Sequence, residues 1–310
     1  MKIVFFAPEG RPDPWVDGLR ARLPAANVSV WTPGAPPADY AVVWSPPQQL
    51  ADEQPHLRAV FNLGAGVDAL LKRRWAPGIR LVRLDDAGMA VQMAEYACEA
   101  VIRHFRQLDL FDRRQREGVW QRAAPRRRAE WPVGVLGLGV LGSRVAQALA
   151  SFGFPVLGYS RTPRALPGIR TFHETGGTGH DLEAFLAGSR HLVNLLPLTP
   201  ATENLLDRHT LSRLIAGGLV INLARGAHVV DEDLVALIDE GHLDGAVLDV
   251  FREEPLPAGH PFWRHPRIRL TPHVAAFTLR DESLDQIATK IAAVHRGEPV
   301  AGTVDPCTGY

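Results

Sequence analysis

The sequence predicts an α/β protein built from two doubly wound parallel-sheet domains, and three observations carry that prediction. Short apolar runs rich in β-branched and aromatic residues recur along the chain, segments of helical spacing separate them, and the alternation stops and then restarts at Val133. Parallel strands require crossover segments of this kind. A chain of 310 residues with 46% hydrophobic content can bury two cores, and its length favours two domains over one.

In the first ninety residues the strand candidates are "KIVFFA", "NVSVW", "YAVVWS", "RAVFNL" and "IRLVRL", with "WVDGLRARL" and "VDALLKRRW" between them at helical spacing. The segment "MAVQMAEYACEAVIRHFRQLDLFDRRQREGVW" then carries apolar residues three and four apart and no proline, which predicts one extended helix. From Val133 a second series follows: "GVLG", "PVLGYS", "HLVNLL", "GLVINLA", "GAVLDVF" and "IRLTPH", with helical segments such as "VAQALASF" and "DEDLVALIDEG". A last helix, "RDESLDQIATKIAAVHRG", precedes a polar tail ending at Tyr310. No short repeat or low-complexity tract interrupts this order.

The 34 basic and 34 acidic residues balance, so charge gives no reason to expect nucleic acid or an anionic membrane as partner. The basic run "RAAPRRRAE", with Arg122, Arg126, Arg127 and Arg128, reads as a solvated loop, since no aromatic interleaving accompanies it. Cys98 and Cys307 have neither metal spacing nor a disulfide framework, and read as reduced bystanders in a cytoplasmic protein without a metal centre. The apolar run before Pro8 is too short for a signal-peptide core or a membrane span.

The stretch "VGVLGLGVLGSRVAQALASFG" places Gly137, Gly139 and Gly142 in a G-x-G-x-x-G arrangement between a strand and a helix, with Val140 and Leu141 inside the turn. Gly137 permits the tight turn, Gly139 lets the backbone approach a pyrophosphate, and Gly142 lets the helix pack on the strand. A dinucleotide site of this kind usually closes its second strand with Asp or Glu for the adenosine ribose. Here "VLGYSRTPR" offers Ser160, Arg161, Thr162 and Arg164 instead. Two guanidinium groups and two hydroxyls suit a 2′-phosphate that a carboxylate would repel, so NADPH is expected in preference to NADH.

Three further stretches, "FNLGAGVDALL", "INLARGAHVVDEDLVALIDEGHLDGAVLDVFREEPLP" and "LTPHVAAF", join the glycine motif, "QMAEY", "LPLTPATENLL" and the terminal "GY" in one pattern. With these motifs the chain resembles, from end to end, the D-isomer-specific 2-hydroxyacid dehydrogenases, and within them the glyoxylate/hydroxypyruvate reductases. The resemblance implies a flavodoxin-like substrate domain over 1–90 plus 279–310 and a Rossmann cofactor domain over 91–278, with substrate and nicotinamide between them. It implies that Arg225 binds a 2-oxo acid, that His273 donates the proton, and that Glu254 orients and charges the imidazole. Glu253 adjoins Glu254, and the family wording E-P-L-P selects the latter.

The same resemblance implies that Gly64, Ala65, Gly66 and Val67 hold the substrate carboxylate with backbone N–H groups. It puts Leu196, Pro197 and Thr202 on the adenosine side, and Leu223, Ala224, Arg225 and Asp249 around the nicotinamide. Trp44 either packs in the core or limits substrate size. The long helix resembles the family's dimerisation element, so a homodimer is expected. The expected activity is NADPH-dependent reduction of glyoxylate to glycolate or hydroxypyruvate to D-glycerate. Phe277, Leu279 and Arg280 depart from the commoner Thr-Arg-Pro wording, which leaves the preferred 2-oxo acid open. The rival readings are a non-catalytic NADP-sensing module in the manner of corepressors and, less favoured, oxidation of a phosphite- or formate-like donor on the same scaffold.

Overall fold

A computed structural model describes residues 1–8, 10–174 and 179–305. The chain divides into two units, one formed by Met1–Met89 with the C-terminal stretch from Thr278, the other by Ala90–Phe277. Cys307 and the terminal "GY" lie outside the described residues.

The first unit holds a five-stranded parallel sheet of β1 (Lys2–Phe6), β2 (Asn27–Val30), β3 (Tyr40–Val43), β4 (Ala59–Asn62) and β5 (Arg80–Val82), in the order β2-β1-β3-β4-β5. All residues of β3 and β4 are buried, as expected for central parallel strands covered on both faces. Helices α1 (Asp13–Arg22), α2 (Gln48–Glu53) and α3 (Asp68–Leu71) connect them. The helix expected over "VDALLKRRW" is thus a single turn. The Arg74 N–H, which would extend it, is taken by Gln48 Oε1 at 2.9 Å, and the Trp75 indole donates to the Leu70 carbonyl at 2.9 Å. Side-chain partners replace the helical ones at this end.

In the second unit the predicted long helix is two helices, α4 (Met89–Phe105) and α5 (Leu108–Arg116). Met93, Ala97, Val101 and Phe105 of α4 pack into the core, whereas α5 buries no residue. The break lies at Gln107, which adopts a left-handed φ of 57° and donates from Nε2 to the Ala124 carbonyl at 2.9 Å. Arg103 pairs with both Asp109 and Asp112 and clamps α5 back against the end of α4.

The seven-stranded parallel sheet follows: β6 (Val133–Leu136), β7 (Val156–Ser160), β8 (Arg170–His173), β9 (His191–Asn194), β10 (Gly218–Asn222), β11 (Leu243–Leu248) and β12 (Ile268–Leu270). Their order is β12-β11-β10-β9-β6-β7-β8. Successive residues face opposite sides: Val133 and Val135 pack with α4 and with α6 (Val140–Ser151), while Leu136 faces the core shared with α7 (His180–Ala187), α8 (Arg208–Leu211) and α9 (Asp231–Asp239). Each fully buried leucine or phenylalanine in these layers contributes about 1.5–3 kcal/mol over exposure. The chain runs from β6 outward through β7 and β8, then crosses to β9 on the other side of β6. That reversal leaves a crevice at the carboxyl ends of β6 and β9, where open α/β sheets bind ligands. The chain ends its regular structure in the first unit with α10 (Arg280–His295), whose Leu284 side chain would overlap any Cβ at Gly18 of α1.

Candidate active site

The glycine turn lies at the β6/β9 switch point. Gly137 has φ 102°, and a Cβ there would lie 2.9 Å from the Leu195 carbonyl group. At Gly142 a Cβ would fall 1.8 Å from the Gly137 oxygen, so α6 can approach the strand only with glycine. A Cβ at Gly139 would meet nothing within 4 Å, which leaves that stretch of backbone open to a ligand at the start of α6. Val140 is exposed and Leu141 is half-buried at the same helix start.

Beyond β7, Arg161, Thr162 and Arg164 are exposed, while Ser160 is buried. The Ser160 hydroxyl donates to the Thr162 carbonyl at 2.8 Å. That bond shapes the turn, and the positive charge there comes from the two arginines. The Leu196–Pro197 loop is held by Thr202, whose hydroxyl donates to the Pro197 carbonyl at 2.8 Å.

Arg225 follows β10, and Leu223 and Ala224 before it are buried. Gly226 explains how this loop is seated: a Cβ there would be 1.9 Å from the Phe251 carbonyl carbon, so the Arg225 loop touches the backbone leading to Glu254. Glu254 accepts the Phe251 N–H on Oε1 at 2.9 Å and bonds His273 Nδ1 through Oε2 at 2.8 Å. Burial acts to raise the Glu254 pKa, but the His273 hydrogen bond, the Phe251 N–H and the charges of His273 and Arg225 outweigh it and hold the carboxyl below its ordinary 4.5. Glu254, not Glu253, is the acid that meets the histidine. With Nδ1 engaged, Nε2 is the ring nitrogen left for other chemistry.

His273 itself adopts a left-handed φ of 57°, an unusual conformation for a residue with a side chain. Its N–H donates to the Asp249 carbonyl at 2.8 Å. The Asp249 carboxylate accepts the Thr271 hydroxyl at 2.5 Å and the Val274 and Ala275 N–H groups, each at 2.8 Å. Asp249 is only 1% exposed. Its carboxylate holds the loop that carries His273. Tyr96 completes this set through a 2.5 Å contact to Thr271 Oγ1, which sequence reasoning missed because a tyrosine inside a helical pattern reads as core.

In the first unit, Gly64–Val67 follow β4. Asn62 Nδ2 donates to the Gly64 carbonyl at 3.0 Å and the Gly66 carbonyl at 2.7 Å. A trans peptide points its C=O and the next N–H in opposite directions, so pinning those two carbonyls turns the Ala65 and Val67 N–H groups away from Asn62. Trp44 sits over this turn, and a Cβ on Gly64 would come within 2.6 Å of its ring. At 37% exposure Trp44 is not a core residue. Asn62 was also missed; a polar residue ending an apolar strand carries no signal of its own.

Among the described residues, no group of three or more His, Cys, Asp or Glu is arranged to hold a metal ion, and no helix is long and apolar enough to cross a membrane. Burial pushes the Cys98 thiol up to about 11.

Residues 98–275 match the family model of the D-isomer specific 2-hydroxyacid dehydrogenase NAD binding domain. The glyoxylate/hydroxypyruvate reductase A of Yersinia enterocolitica is 44% identical over 318 residues, and that of Serratia proteamaculans 45% over 317, each comparison covering both chains fully. A D-isomer specific 2-hydroxyacid dehydrogenase from Xanthobacter autotrophicus, solved with NADPH and MES, matches 100% of this chain and 99% of its own at 41% identity and a TM-score of 0.93. An NADPH-dependent glyoxylate/hydroxypyruvate reductase from Sinorhizobium meliloti, solved with NADP and sulfate, matches the same shares at 32% identity and a TM-score of 0.91. Glycine turn, His–Glu pair and end-to-end similarity agree, and the chain belongs to the D-isomer specific 2-hydroxyacid dehydrogenase family.

Proposed function

We propose that the chain catalyses NADPH-dependent reduction of a short 2-oxo acid, glyoxylate to glycolate and hydroxypyruvate to D-glycerate. The observation that carries this reading is the 2.8 Å pair of His273 and Glu254 beside Arg225. Bound NADPH supplies a hydride to the substrate's carbonyl carbon. Gly137, Gly139, Val140, Leu141 and Gly142 hold its pyrophosphate, with Leu196, Pro197, Thr202, Leu223 and Ala224 lining the rest of the cofactor site. Arg161, Thr162 and Arg164 meet the 2′-phosphate, beside the turn that Ser160 shapes.

His273 delivers a proton from Nε2 to the carbonyl oxygen, and Glu254 stabilises the imidazolium and fixes its ring. Arg225 pairs with the substrate carboxylate and polarises the carbonyl. The Ala65, Gly66 and Val67 N–H groups in the Gly64–Val67 turn are a backbone nest for a substrate carboxylate, and Trp44 over that turn restricts substrate size. Replacing His273 by Gln tests the assignment: kcat is expected to fall about 10²–10⁴-fold with the NADPH dissociation constant retained. Near wild-type turnover in that variant refutes it. Any turnover of a 2-oxo acid separates this enzyme from a sensing module.

The reading includes a cytoplasmic homodimer assembled through the α4–α5 segment. Leu108 and Phe111 on α5, each at 37% exposure, and Val119 at 43% and Trp120 at 103% just after it are exposed apolar side chains at a helix that buries none of its own residues. Light scattering is expected to give twice the chain mass, and Trp120→Ser to shift it toward the single chain. No nucleic acid or membrane partner is part of the reading.

A further inference from the structure

Three fully buried polar side chains at the ends of β9 and β10 are unused by the chemistry above: Asn194, Asn222 and His228. Asn194 and Asn222 are partners on the last rung of the sheet. Asn194 donates from Nδ2 to Asn222 Oδ1 at 3.0 Å and accepts the Leu196 N–H on Oδ1 at 3.2 Å. Asn222 donates from Nδ2 to the Arg225 carbonyl at 2.9 Å, and its Oδ1 accepts the Ala224 N–H at 3.2 Å. His228 Nδ1 lies 3.0 Å from the same Arg225 carbonyl, and Nε2 lies 3.3 Å from the Pro197 carbonyl. Carbonyl oxygens only accept, so the shorter contact assigns the ring proton to Nδ1.

Buried polar groups persist where every partner is supplied, and here most of those partners belong to two loops. The Arg225 carbonyl receives three bonds: from Asn222 Nδ2, from His228 Nδ1 and from the His228 N–H at 3.2 Å. Fixing that carbonyl fixes the extended backbone from which the Arg225 side chain leaves. The other end of the network reaches the Leu196 N–H through Asn194 Oδ1, while Nε2, without a proton, lies against the Pro197 carbonyl without donating to it. One set of hydrogen bonds thus registers the arginine loop against the loop after β9.

We propose that Asn194, Asn222 and His228 are positioning residues for Arg225, holding its guanidinium at a fixed place relative to the Leu196–Pro197 loop. This rests on the reading of Arg225 as the substrate-binding arginine. Misplacement of such a group by about 1 Å is enough to lose about 10²-fold in rate. A residue that acts through Arg225 loses its influence once the guanidinium is gone, whereas a residue that merely supports the fold does not.

The test is a double-mutant cycle in kcat/KM for glyoxylate with NADPH, with the melting temperature of every variant recorded. Asparagine at 228 places an N–H near the Nδ1 position and keeps the Arg225 contact; glutamine reaches past that position and loses it. His228→Gln is expected to lower kcat/KM about tenfold or more, His228→Asn to retain most of it, and His228→Gln with Arg225→Ala to be no worse than Arg225→Ala alone. Equal losses in the two His228 variants, or losses that multiply with Arg225→Ala, overturn the proposal. Wild-type kcat/KM in Arg225→Ala alone instead overturns the reading of Arg225 and removes the proposal's basis. Should His228→Gln fail to fold, Asn222→Ser, whose shorter side chain misses the Arg225 carbonyl, goes through the same cycle with the same two outcomes.

Discussion

Glu254 shows how one side chain joins a contribution to stability with a role in the proposed chemistry. Its carboxylate accepts from Phe251 and meets His273, and its pKa is lowered below 4.5 in the folded chain. A carboxyl whose folded pKa is depressed stabilises the fold fully above its unfolded value and loses that contribution as pH falls through the folded one. The His273–Glu254 pair is therefore expected to survive at pH 4.5 and to break only in stronger acid, which proton titration by NMR would follow. Replacing Glu254 by Gln keeps the shape and removes the charge that favours imidazolium. We expect kcat/KM for reduction to fall about tenfold or more; an unchanged kcat/KM would mean that the charge of Glu254 is not needed. At the other end of the site, Ser160→Asp with Arg161→Ala places a carboxylate against a 2′-phosphate and removes a guanidinium. The preference for NADPH over NADH is expected to drop about tenfold or more, and an unaltered ratio of kcat/KM values defeats the reading of this turn.

At the scale of elements, the strand ends rather than the helices decide where chemistry sits. Gly226 illustrates the tolerance: a Cβ there would enter the Phe251 backbone, which cannot yield as a flexible side chain does. Gly226→Ala is expected to destabilise the second unit by about 1–3 kcal/mol and to reduce kcat/KM, since it separates the Arg225 loop from the turn carrying Glu254. Thermal melting and steady-state rates check both; an unperturbed melting temperature would show that the contact relaxes freely. Most strands were legible as apolar β-branched runs because parallel strands are buried on both faces. The edge strand β8 was not, since only Phe172 of "RTFH" is buried and one apolar residue sets no period. The α4–α5 break was invisible for a different reason: Leu108 and Phe111 continue the apolar spacing, and neither glycine nor proline marks Gln107, the residue that turns left-handed.

For the whole molecule, two sheets of different size share one design, in which parallel strands deliver loops to their carboxyl ends. In the 2-1-3-4-5 order of the first sheet, β3 and β4 carry Trp44 and the Gly64–Val67 turn. In the second, β6 and β9 carry the glycine turn and the Leu196–Pro197 loop, and β10, β11 and β12 lead to Arg225, Glu254 and His273. The residues to which the proposed function assigns chemistry were readable because charge, glycine spacing and family wording mark them. The residues that hold them, Asn62, Asn194, Asn222, His228, Tyr96 and Thr271, were not. Their signal is a partner brought close by folding, such as the Arg225 carbonyl for His228, and local sequence does not record it. The loop bonds of Asp249 were hidden for the same reason, since its partners Val274 and Ala275 lie beyond another strand. The central claim is reduction of a 2-oxo acid with NADPH preferred. It is tested most directly by initial rates of reduced-nicotinamide consumption with glyoxylate and with hydroxypyruvate, each with NADPH and with NADH. Rapid loss of NADPH with at least one acid, and slow loss of NADH, is the predicted result; equal use of both cofactors, or no consumption by protein shown to bind NADPH, would contradict it.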